Sequence, residues 1–226
     1  MKSNESLFSR LRASSGQVWK DYLEHPFVKG IGDGSLPESS FRHYLTQDFI
    51  FLFHFSRAYA LAAYKANNVE QIRRANKAIT NIIDVEMGLH IQYCKEWNID
   101  LTDVTTMYED LATTAYTRFV FDCGHRGDLL DLSTALIPCI AGYAEIGANL
   151  IANSATNRKG NPYCSWIEMY ADDEYQLVAK EAIKQLDDLS DSAGGTIRFT
   201  NLLEIFKQAT VLEKEFWEMG WQQRCS

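Results

Sequence analysis

The 226-residue sequence is poor in residues that interrupt regular structure, with only four prolines and 13 glycines. It also lacks any stretch of useful length in which apolar and polar residues alternate, as they do in half-buried β-strands. The long segments between the glycines and prolines instead place apolar residues at helical spacing. The sequence therefore predicts an all-α fold, a single-domain helical bundle of roughly seven or eight helices that spans residues 1–226, with its core at about 7–221.

The sequence has no CxxC pair among its five cysteines, which are Cys94, Cys123, Cys139, Cys164 and Cys225. An odd number of cysteines without such a pair argues against both a disulfide framework and a zinc site. Free thiols fit a reducing compartment, so we expect a cytoplasmic protein.

Basic runs are missing too, because 30 Asp and Glu residues outnumber 22 Lys and Arg residues and the formal net charge is −8. A chain without a basic run has no surface that follows a phosphate backbone, so we expect no nucleic-acid partner. No apolar run reaches the roughly 18 residues that a membrane span needs. The first segment, MKSNESLFSRLRASSGQ, lacks the apolar stretch of a signal peptide. We therefore expect no membrane partner.

Helical periodicity and turn signals divide the chain into segments. The segment HPFVKGIGDGSLP is predicted to break the first helix and lead to the second, which begins near Pro37. The loop NSATNRKGNP and the break SDSAGG separate later helices. The predicted helices cover residues 6–24, 37–67, about 69–96, part of 102–122, about 128–153, about 163–189 and about 196–221.

Two carboxylates lie among apolar residues at helical spacing. Asp48 is within HYLTQDFIFLFHFSRAY, and Glu213 continues an otherwise apolar line with Phe206 and Trp217. A carboxylate in such surroundings must be paired or must have a shifted pKa. For both residues the alternative is a place on the polar edge of an amphipathic helix, solvated or salt-bridged.

Glu86 and His90 are four residues apart and could ligate a metal from one helix face. A helical di-iron site needs further carboxylates and a second such pair, often Glu-xx-His, and the sequence has no second pair. This absence favours a hydrogen bond between Glu86 and His90 inside the bundle.

Cys139 directly follows Pro138 and lies one turn before Tyr143, in LIPCIAGYAEIG. Proline removes a backbone donor and crowds the preceding turn, so we expect a kink that leaves room for a ligand beside the thiol. A nucleophilic thiol needs a lowered pKa or a nearby base. The alternative is that Cys139 is a small buried apolar residue.

No histidine is close to Cys139 in sequence, so an activating group must come from another helix. Asp48 and Glu213 are the candidate carboxylates, and Tyr116 and Tyr170 are candidate ring partners. A thiol, two carboxylates and several rings suit a flat, nitrogen-rich heterocycle. Sequence spacing alone does not show that these side chains converge.

At these residues the chain resembles the TenA/Thi-4 family, thiaminase II, whose fold is haem-oxygenase-like. The resemblance covers about residues 7–221 and rests on six segments in order: FRHYLTQDFIFLFHFSRAYA, EMGLHIQYCKEW, AYTRFV, LIPCIAGYAEIG, YCSWIEMY and LEKEFWEMGW. The set is specific for the family and less specific for the substrate.

The resemblance implies a role for each matching residue. Cys139 corresponds to the family's nucleophile, Glu213 to its catalytic glutamate and Asp48 to the aspartate that anchors the substrate. The substrate-binding aromatic positions are Phe51, Tyr116, Tyr143 and Tyr170. Many members have tyrosine where this chain has Phe51, and this difference concerns substrate preference more than chemistry.

The resemblance also implies the reaction, which is hydrolysis of 4-amino-5-aminomethyl-2-methylpyrimidine to the hydroxymethyl compound in thiamin salvage, and more slowly hydrolysis of thiamin. It implies no metal or organic cofactor, a small-molecule pyrimidine as partner and a homotetramer. The alternatives are a related protein acting on another aminopyrimidine, a haem-oxygenase-like metal oxygenase using Glu86 and His90, and a non-catalytic regulator that retains the pocket.

Overall fold

The computed structural model describes residues 5–99 and 108–223. These residues form helices and no strand, so the prediction of an all-α fold is confirmed. Ten α-helices occur in the described part of the chain: α1 (Leu7–Leu23), α2 (Pro26–Asp33), α3 (Glu38–Lys65), α4 (Val69–Thr80), α5 (Met87–Glu96), α6 (Leu111–Arg126), α7 (Leu129–Ala152), α8 (Cys164–Ala171), α9 (Asp173–Ser192) and α10 (Phe199–Gln222). A π-helical segment, Asn81–Glu86, joins α4 to α5. The predicted number of helices was too low.

Helix α2 occupies a segment that was predicted as a break. Its first residue is Pro26, which needs no amide partner at that position. The ring of His25 caps the helix, with Nδ1 accepting from the amide of Phe27 at 3.2 Å. Gly34, in the left-handed region with φ 81°, ends it. The turn signals in this segment were therefore helix caps.

The single helix predicted at 163–189 is two helices, α8 and α9, which meet at Asp172. The side chain of Asp172 accepts from the amide of Glu174 at 2.8 Å and so begins α9. Gln176 Nε2 donates to the carbonyl of Tyr170 at 2.9 Å, which satisfies an acceptor freed by the break. Helix α1 also departs from a regular helix, because Gly16 has φ 42° and ψ −110°.

The centre of the bundle is aromatic. Trp217 on α10 is fully buried. Its ring stacks on Phe27 at 5.2 Å between centroids and lies 5.1 Å from the ring of Tyr143 on α7. Helix α7 packs against α6, α8, α9 and α10, and α3 packs against α4, α6 and α10. The site described below lies where α3, α7 and α10 approach one another.

Helix α7 is the only described helix long and apolar enough to cross a membrane by length and composition. Asp131 and Glu145 interrupt its apolar sequence, so α7 contains no uninterrupted apolar run of about 18 residues, as predicted from the sequence. Most residues in the most apolar part of α7 are buried inside the bundle, as expected for a core helix. Its first turn is fixed by a capping box, in which Asp128 and Asp131 each accept from the other's backbone amide.

Candidate active site

A cavity of about 400 Å³ lies among α3, α4, the π-helical segment, α7, α8 and α9. Five of the seven site residues predicted from the sequence line its wall: Asp48, Phe51, Cys139, Tyr143 and Tyr170. The other two, Tyr116 and Glu213, are buried directly behind this wall. The structure thus brings together groups from five helices, and a volume of this size suits a small molecule.

Cys139 projects from α7 into the cavity and is partly accessible from it. Helix α7 continues through Pro138 without a non-helical residue, and it presents the thiol from this unbroken helix. Burial raises the pKa of Cys139 well above its usual value, and the carboxylates of Glu213 and Asp48 raise it further. The resting group is therefore a neutral thiol, and nucleophilic attack requires a base that takes its proton.

Glu213 on α10 supplies a carboxyl group close to that thiol. It is 2% exposed, so the alternative of a solvated helix edge is wrong. Its Oε1 accepts a hydrogen bond from the Tyr116 hydroxyl at 2.8 Å. Burial raises the pKa of Glu213 to about 8, although the hydrogen bond from Tyr116 and the interaction with Cys139 oppose this rise. Glu213 can therefore both accept and donate a proton near neutral pH.

Asp48 on α3 is also buried, which rules out the helix-edge alternative for this residue. Its Oδ2 accepts from the Tyr44 hydroxyl at 3.1 Å and lies 2.8 Å from Nε2 of His90 on α5. His90 Nε2 makes no hydrogen bond to this oxygen, so the two side chains are in close contact without one. Trp166 Nε1 in turn donates to the Tyr44 hydroxyl at 3.3 Å.

Phe51 lies one turn along α3 from Asp48, in the cavity wall. Its ring stacks on Phe55 at 5.4 Å and on Tyr116 at 5.0 Å, with interplanar angles of 28° and 25°. Tyr116 therefore links the wall to Glu213 behind it. The wall at Phe51 offers a ring face and no hydroxyl.

Tyr143 and Tyr170 form the wall on the side of α7 and α8, with ring centroids 4.8 Å apart. Burial raises the pKa of both hydroxyls well above the usual value, so both stay protonated and can donate hydrogen bonds. Gly147 allows this contact between the helices, because a Cβ at that position would collide with the backbone of Tyr170.

Several residues of the site were not predicted. Tyr44 donates a hydrogen bond to Asp48 and His90 lies beside it, while the half-buried Tyr59 and Tyr175 add two further hydroxyls to the cavity wall. A tyrosine four residues before Asp48 on a predicted helix was an available signal. Tyr59 is on the same helix as Asp48, whereas His90 and Tyr175 come from α5 and α9, and their convergence depends on tertiary packing.

Glu86 also lines the cavity, from the end of the π-helical segment. The hydrogen bond predicted between Glu86 and His90 is not formed, because His90 faces Asp48 and Glu86 Oε1 is 3.4 Å from Nδ2 of Asn81. No group of three or more His, Cys, Asp or Glu side chains that could hold a metal ion occurs within residues 5–99 and 108–223. Asp48 and Glu86 in the cavity wall, and Glu213 behind it, instead offer carboxyl groups that favour a ligand carrying basic nitrogens.

Charged side chains on α4 and α9 surround the side of the cavity that opens to solvent. Lys77 Nζ pairs with Glu181 Oε2 at 2.8 Å, and Arg74 lies 3.5 Å from Asp188. All four side chains are substantially exposed. We refer to these four residues as the entrance pairs.

Known proteins share this architecture. The model of the TENA/THI-4/PQQC family matches residues 12–223. The sequence is 33% identical over 220 residues to the aminopyrimidine aminohydrolase of Halalkalibacterium halodurans, with 97% of each chain covered. A TenA family transcription regulator from Silicibacter sp. has a TM-score of 0.89 at 40% identity, over 95% of this chain and 96% of that chain.

The predicted haem-oxygenase-like fold is confirmed by a further solved structure. A domain from Shewanella denitrificans, described as having a heme oxygenase-like fold, has a TM-score of 0.75 at 14% identity. The match covers 96% of this chain and 93% of that one. At this identity the likeness concerns the fold alone.

Proposed function

The chain belongs to the TENA/THI-4/PQQC family, and from that premise we propose that it is a thiamin-salvage hydrolase that acts on aminopyrimidines through Cys139. The observation that carries the proposal is that a thiol and a carboxylate, Cys139 and Asp48, line one small-molecule cavity, with the proton-exchanging carboxyl group of Glu213 close to the thiol behind the wall. The similarity to an aminopyrimidine aminohydrolase supports the substrate class.

Recognition of the ring follows from the cavity wall. Asp48 accepts a hydrogen bond from the 4-amino group, and a second one from the adjacent ring nitrogen when that nitrogen is protonated. The hydrogen bond from the Tyr44 hydroxyl fixes the carboxylate for this task, and His90 lies beside it. Phe51 and Tyr143 supply apolar faces on which a flat heterocycle can stack. A bound pyrimidine is thereby held edge-on to Asp48 with a ring carbon facing Cys139, which makes the attack effectively unimolecular.

Glu213 moves the proton that the chemistry requires. As the sulfur of Cys139 adds to a ring carbon, its thiol proton passes to the Glu213 carboxylate, and Glu213 gives a proton to a ring nitrogen. The leaving group then departs from the methylene carbon, and the ring electrons form an exocyclic double bond. Water adds to that carbon, the ring nitrogen loses its proton, and Cys139 is expelled as a thiol.

The proposed substrate is 4-amino-5-aminomethyl-2-methylpyrimidine, with ammonia as the leaving group and the hydroxymethylpyrimidine as product. Thiamin is a slower substrate, with its thiazole as the leaving group. The protein needs no metal or organic cofactor for these steps. We further propose that it acts in the cytoplasm as a homotetramer.

The proposal is tested by incubating purified protein with the aminomethylpyrimidine and measuring ammonia release. The wild-type protein should release ammonia in step with hydroxymethylpyrimidine formation. Cys139→Ser should lose nearly all turnover, because a hydroxyl group is a far poorer nucleophile than a thiol activated by a base. Cys123→Ser is the matched control, since Cys123 is buried away from the cavity.

Two outcomes would contradict the proposal. A folded wild-type protein that releases no ammonia from this compound and no thiazole from thiamin would overturn the hydrolase function. A Cys139→Ser protein as active as Cys123→Ser would leave the hydrolase function standing and remove the assignment of the nucleophile.

A further inference from the structure

The proposed steps leave three carboxyl groups of the cavity wall without a task, which are Glu70, Glu86 and Glu181. Glu70 and Glu181 are exposed and ion-paired, with Arg74 and Lys77 respectively, so Glu86 is the one without a basic partner among these ion pairs. It lies in the same cavity as Cys139, and its charge contributes to the raised pKa of that thiol after burial, Glu213 and Asp48. The residues just before it, Ile83, Asp84 and Val85, are exposed on the outer face of the helix. Glu86 thus points inward at the end of a segment that otherwise faces solvent.

The π-helical segment accounts for this inward direction. The amide of Met87 bonds to the carbonyl of Ile82, five residues back, instead of the four-residue spacing of an α-helix. Residues five apart share a face in such a turn, and Asn81 and Glu86 both line the cavity with 3.4 Å between Nδ2 and Oε1. In a regular α-helix they would diverge by about 140°. The widened turn therefore places Asn81 and Glu86 side by side in the cavity wall. Turns of this π-helical kind are frequent at functional sites.

The surroundings of Glu86 suit proton exchange. Burial and the charge of Asp48 raise the pKa of Glu86 to about 7, while His90 and the contact with Asn81 oppose the rise. The Glu86 side chain is half-buried and lines the cavity. A carboxyl group in this position exists in both protonation states near neutral pH and can give a proton to a bound ligand and later recover it.

The leaving groups of the two proposed substrates differ in their need for such a proton. Nitrogen leaves the aminomethyl compound as ammonia only if the amine has been protonated. The thiazolium nitrogen of thiamin already carries a positive charge, so the thiazole leaves as a neutral molecule without any proton. An acid near the methylene carbon therefore assists the first reaction and not the second.

On the basis of the proposed function, we infer that Glu86 is the acid for the departing amine and thereby favours ammonia as the leaving group. The Glu86 carboxyl group gives its proton to the amino nitrogen, and the C–N bond breaks with its electron pair on nitrogen. Ammonia leaves, and the exocyclic methylene remains on the ring. Water then adds its oxygen to the methylene carbon and returns a proton to the Glu86 carboxylate.

The test compares two leaving groups in two variants. Glu86→Gln keeps the shape and the contact with Asn81 but cannot donate an acidic proton. Its kcat for ammonia release from the aminomethylpyrimidine should fall by about 10²- to 10⁴-fold. Its kcat for thiazole release from thiamin should stay close to that of wild type. Asp84→Asn is the matched control, because it makes the same change on the outer face of the same segment, and both reactions should be unaffected.

Each result has a defined meaning. A wild-type protein active on both compounds, with Glu86→Gln impaired equally on both or on neither, would overturn the role of Glu86 and leave the hydrolase function intact. A wild-type protein inactive on both would overturn the proposed function together with this inference. Thermal unfolding of Glu86→Gln identifies a folding defect, and a folded variant with equal losses still counts against the inference.

Discussion

At the scale of single residues, the carboxyl groups of Asp48, in the cavity wall, and of Glu213, behind that wall, have different surroundings. Burial outweighs the hydrogen bond from Tyr116 and gives Glu213 a pKa of about 8, which suits proton transfer. Asp48 is held by the Tyr44 hydroxyl and lies beside His90, which suits a fixed acceptor. In many enzymes, two acids in contrasting environments take different roles, so that one exchanges a proton and the other stays ionised.

This difference predicts that Glu213→Gln and Asp48→Asn fail differently. Glu213→Gln should lose mainly kcat, by about 10²- to 10⁴-fold, because it removes a proton-transfer group. Asp48→Asn replaces an acceptor with a donor and should weaken binding by about 1–3 kcal/mol. Isothermal titration with the hydroxymethylpyrimidine product should show nearly wild-type affinity for Glu213→Gln and clearly lower affinity for Asp48→Asn. Undiminished affinity in both variants would remove the anchoring role of Asp48.

Phe51 gives the cavity wall beside Asp48 an aromatic ring without a hydroxyl group. We expect Phe51→Tyr to change the ratio of kcat/KM values across a set of aminopyrimidines without abolishing turnover. An added hydroxyl group that finds a partner contributes about 0.5–1.5 kcal/mol, and one that does not costs a similar amount. Phe53→Tyr is the control, because Phe53 lies on the same helix under Arg57 and outside the cavity wall. Unchanged ratios in Phe51→Tyr would show that the substrate does not reach this ring.

The residues of the site differ in how far sequence could predict them. Asp48 and Glu213 stand out because each is a carboxylate on an apolar helical line, and Cys139 stands out beside a proline. The contact between Asp48 and His90 could not be predicted, because it depends on how α5 packs on α3. The pKa values could not be predicted either, since they depend on burial from every side.

At the scale of helices, α7 is the element that presents Cys139, and its first turn is tied to the rest of the bundle. Arg198, next to α10, pairs with Asp128 at 2.6 Å and with Asp131 at 2.5 Å. Burial favours the neutral acid, but the hydrogen bonds from Arg198 and the Asp131 amide lower the pKa of Asp128. The Asp128 carboxylate is therefore charged at neutral pH, and its hydrogen bonds stabilise the first turn of α7.

Loss of this cap should weaken the fold without changing the chemistry. Asp128→Ala should reduce the free energy of unfolding by about 0.5–2 kcal/mol. Asp128→Asn should lose less, because its amide oxygen still accepts from the first-turn amides. Urea unfolding midpoints at pH 7 measure both effects, and kcat well below the midpoint should match wild type. A loss for Asp128→Asn as large as for Asp128→Ala would show that the charge, and not the cap, is what matters.

Helix type was easier to predict than helix boundaries. The long helices α3 and α7 lie close to their predicted ranges because their apolar residues repeat over many turns. The break at Asp172 and the π-turn at 81–86 have no glycine or proline to mark them. Both depend on local hydrogen bonds that a periodicity of 3.6 residues does not reveal, and the π-turn brought Glu86 into the site.

At the scale of the whole molecule, the buried acids link stability to pH. The folded state raises the pKa of Glu213 from 4.5 to about 8, so the folded protein holds this proton more tightly than the unfolded chain does. The resulting stabilisation is fully present below about pH 4.5 and is lost as pH rises through 8. One pKa unit corresponds to about 1.4 kcal/mol, so the effect reaches a few kcal/mol at most.

We therefore expect wild-type protein to be less stable at pH 8.5 than at pH 5.5, and Glu213→Gln to lose much of that difference. The variant should exceed wild type in urea midpoint at pH 8.5, because a neutral amide avoids burying a charge. Glu215→Gln is the control, since Glu215 is exposed on the same helix. A pH dependence that is the same in wild type and Glu213→Gln would show that Glu213 does not hold its proton as described.

The entrance pairs set the time scale on which a substrate can reach the cavity. Exposed ion pairs of this kind contribute only about 0.2–1 kcal/mol, so each opens readily. Exposed side chains change rotamer within about picoseconds to nanoseconds, without movement of α4 or α9. Passage between Lys77 and Glu181 thus requires a change of rotamer in two exposed side chains. Substrate entry should consequently respond to ionic strength, because salt weakens the attraction between these two charges.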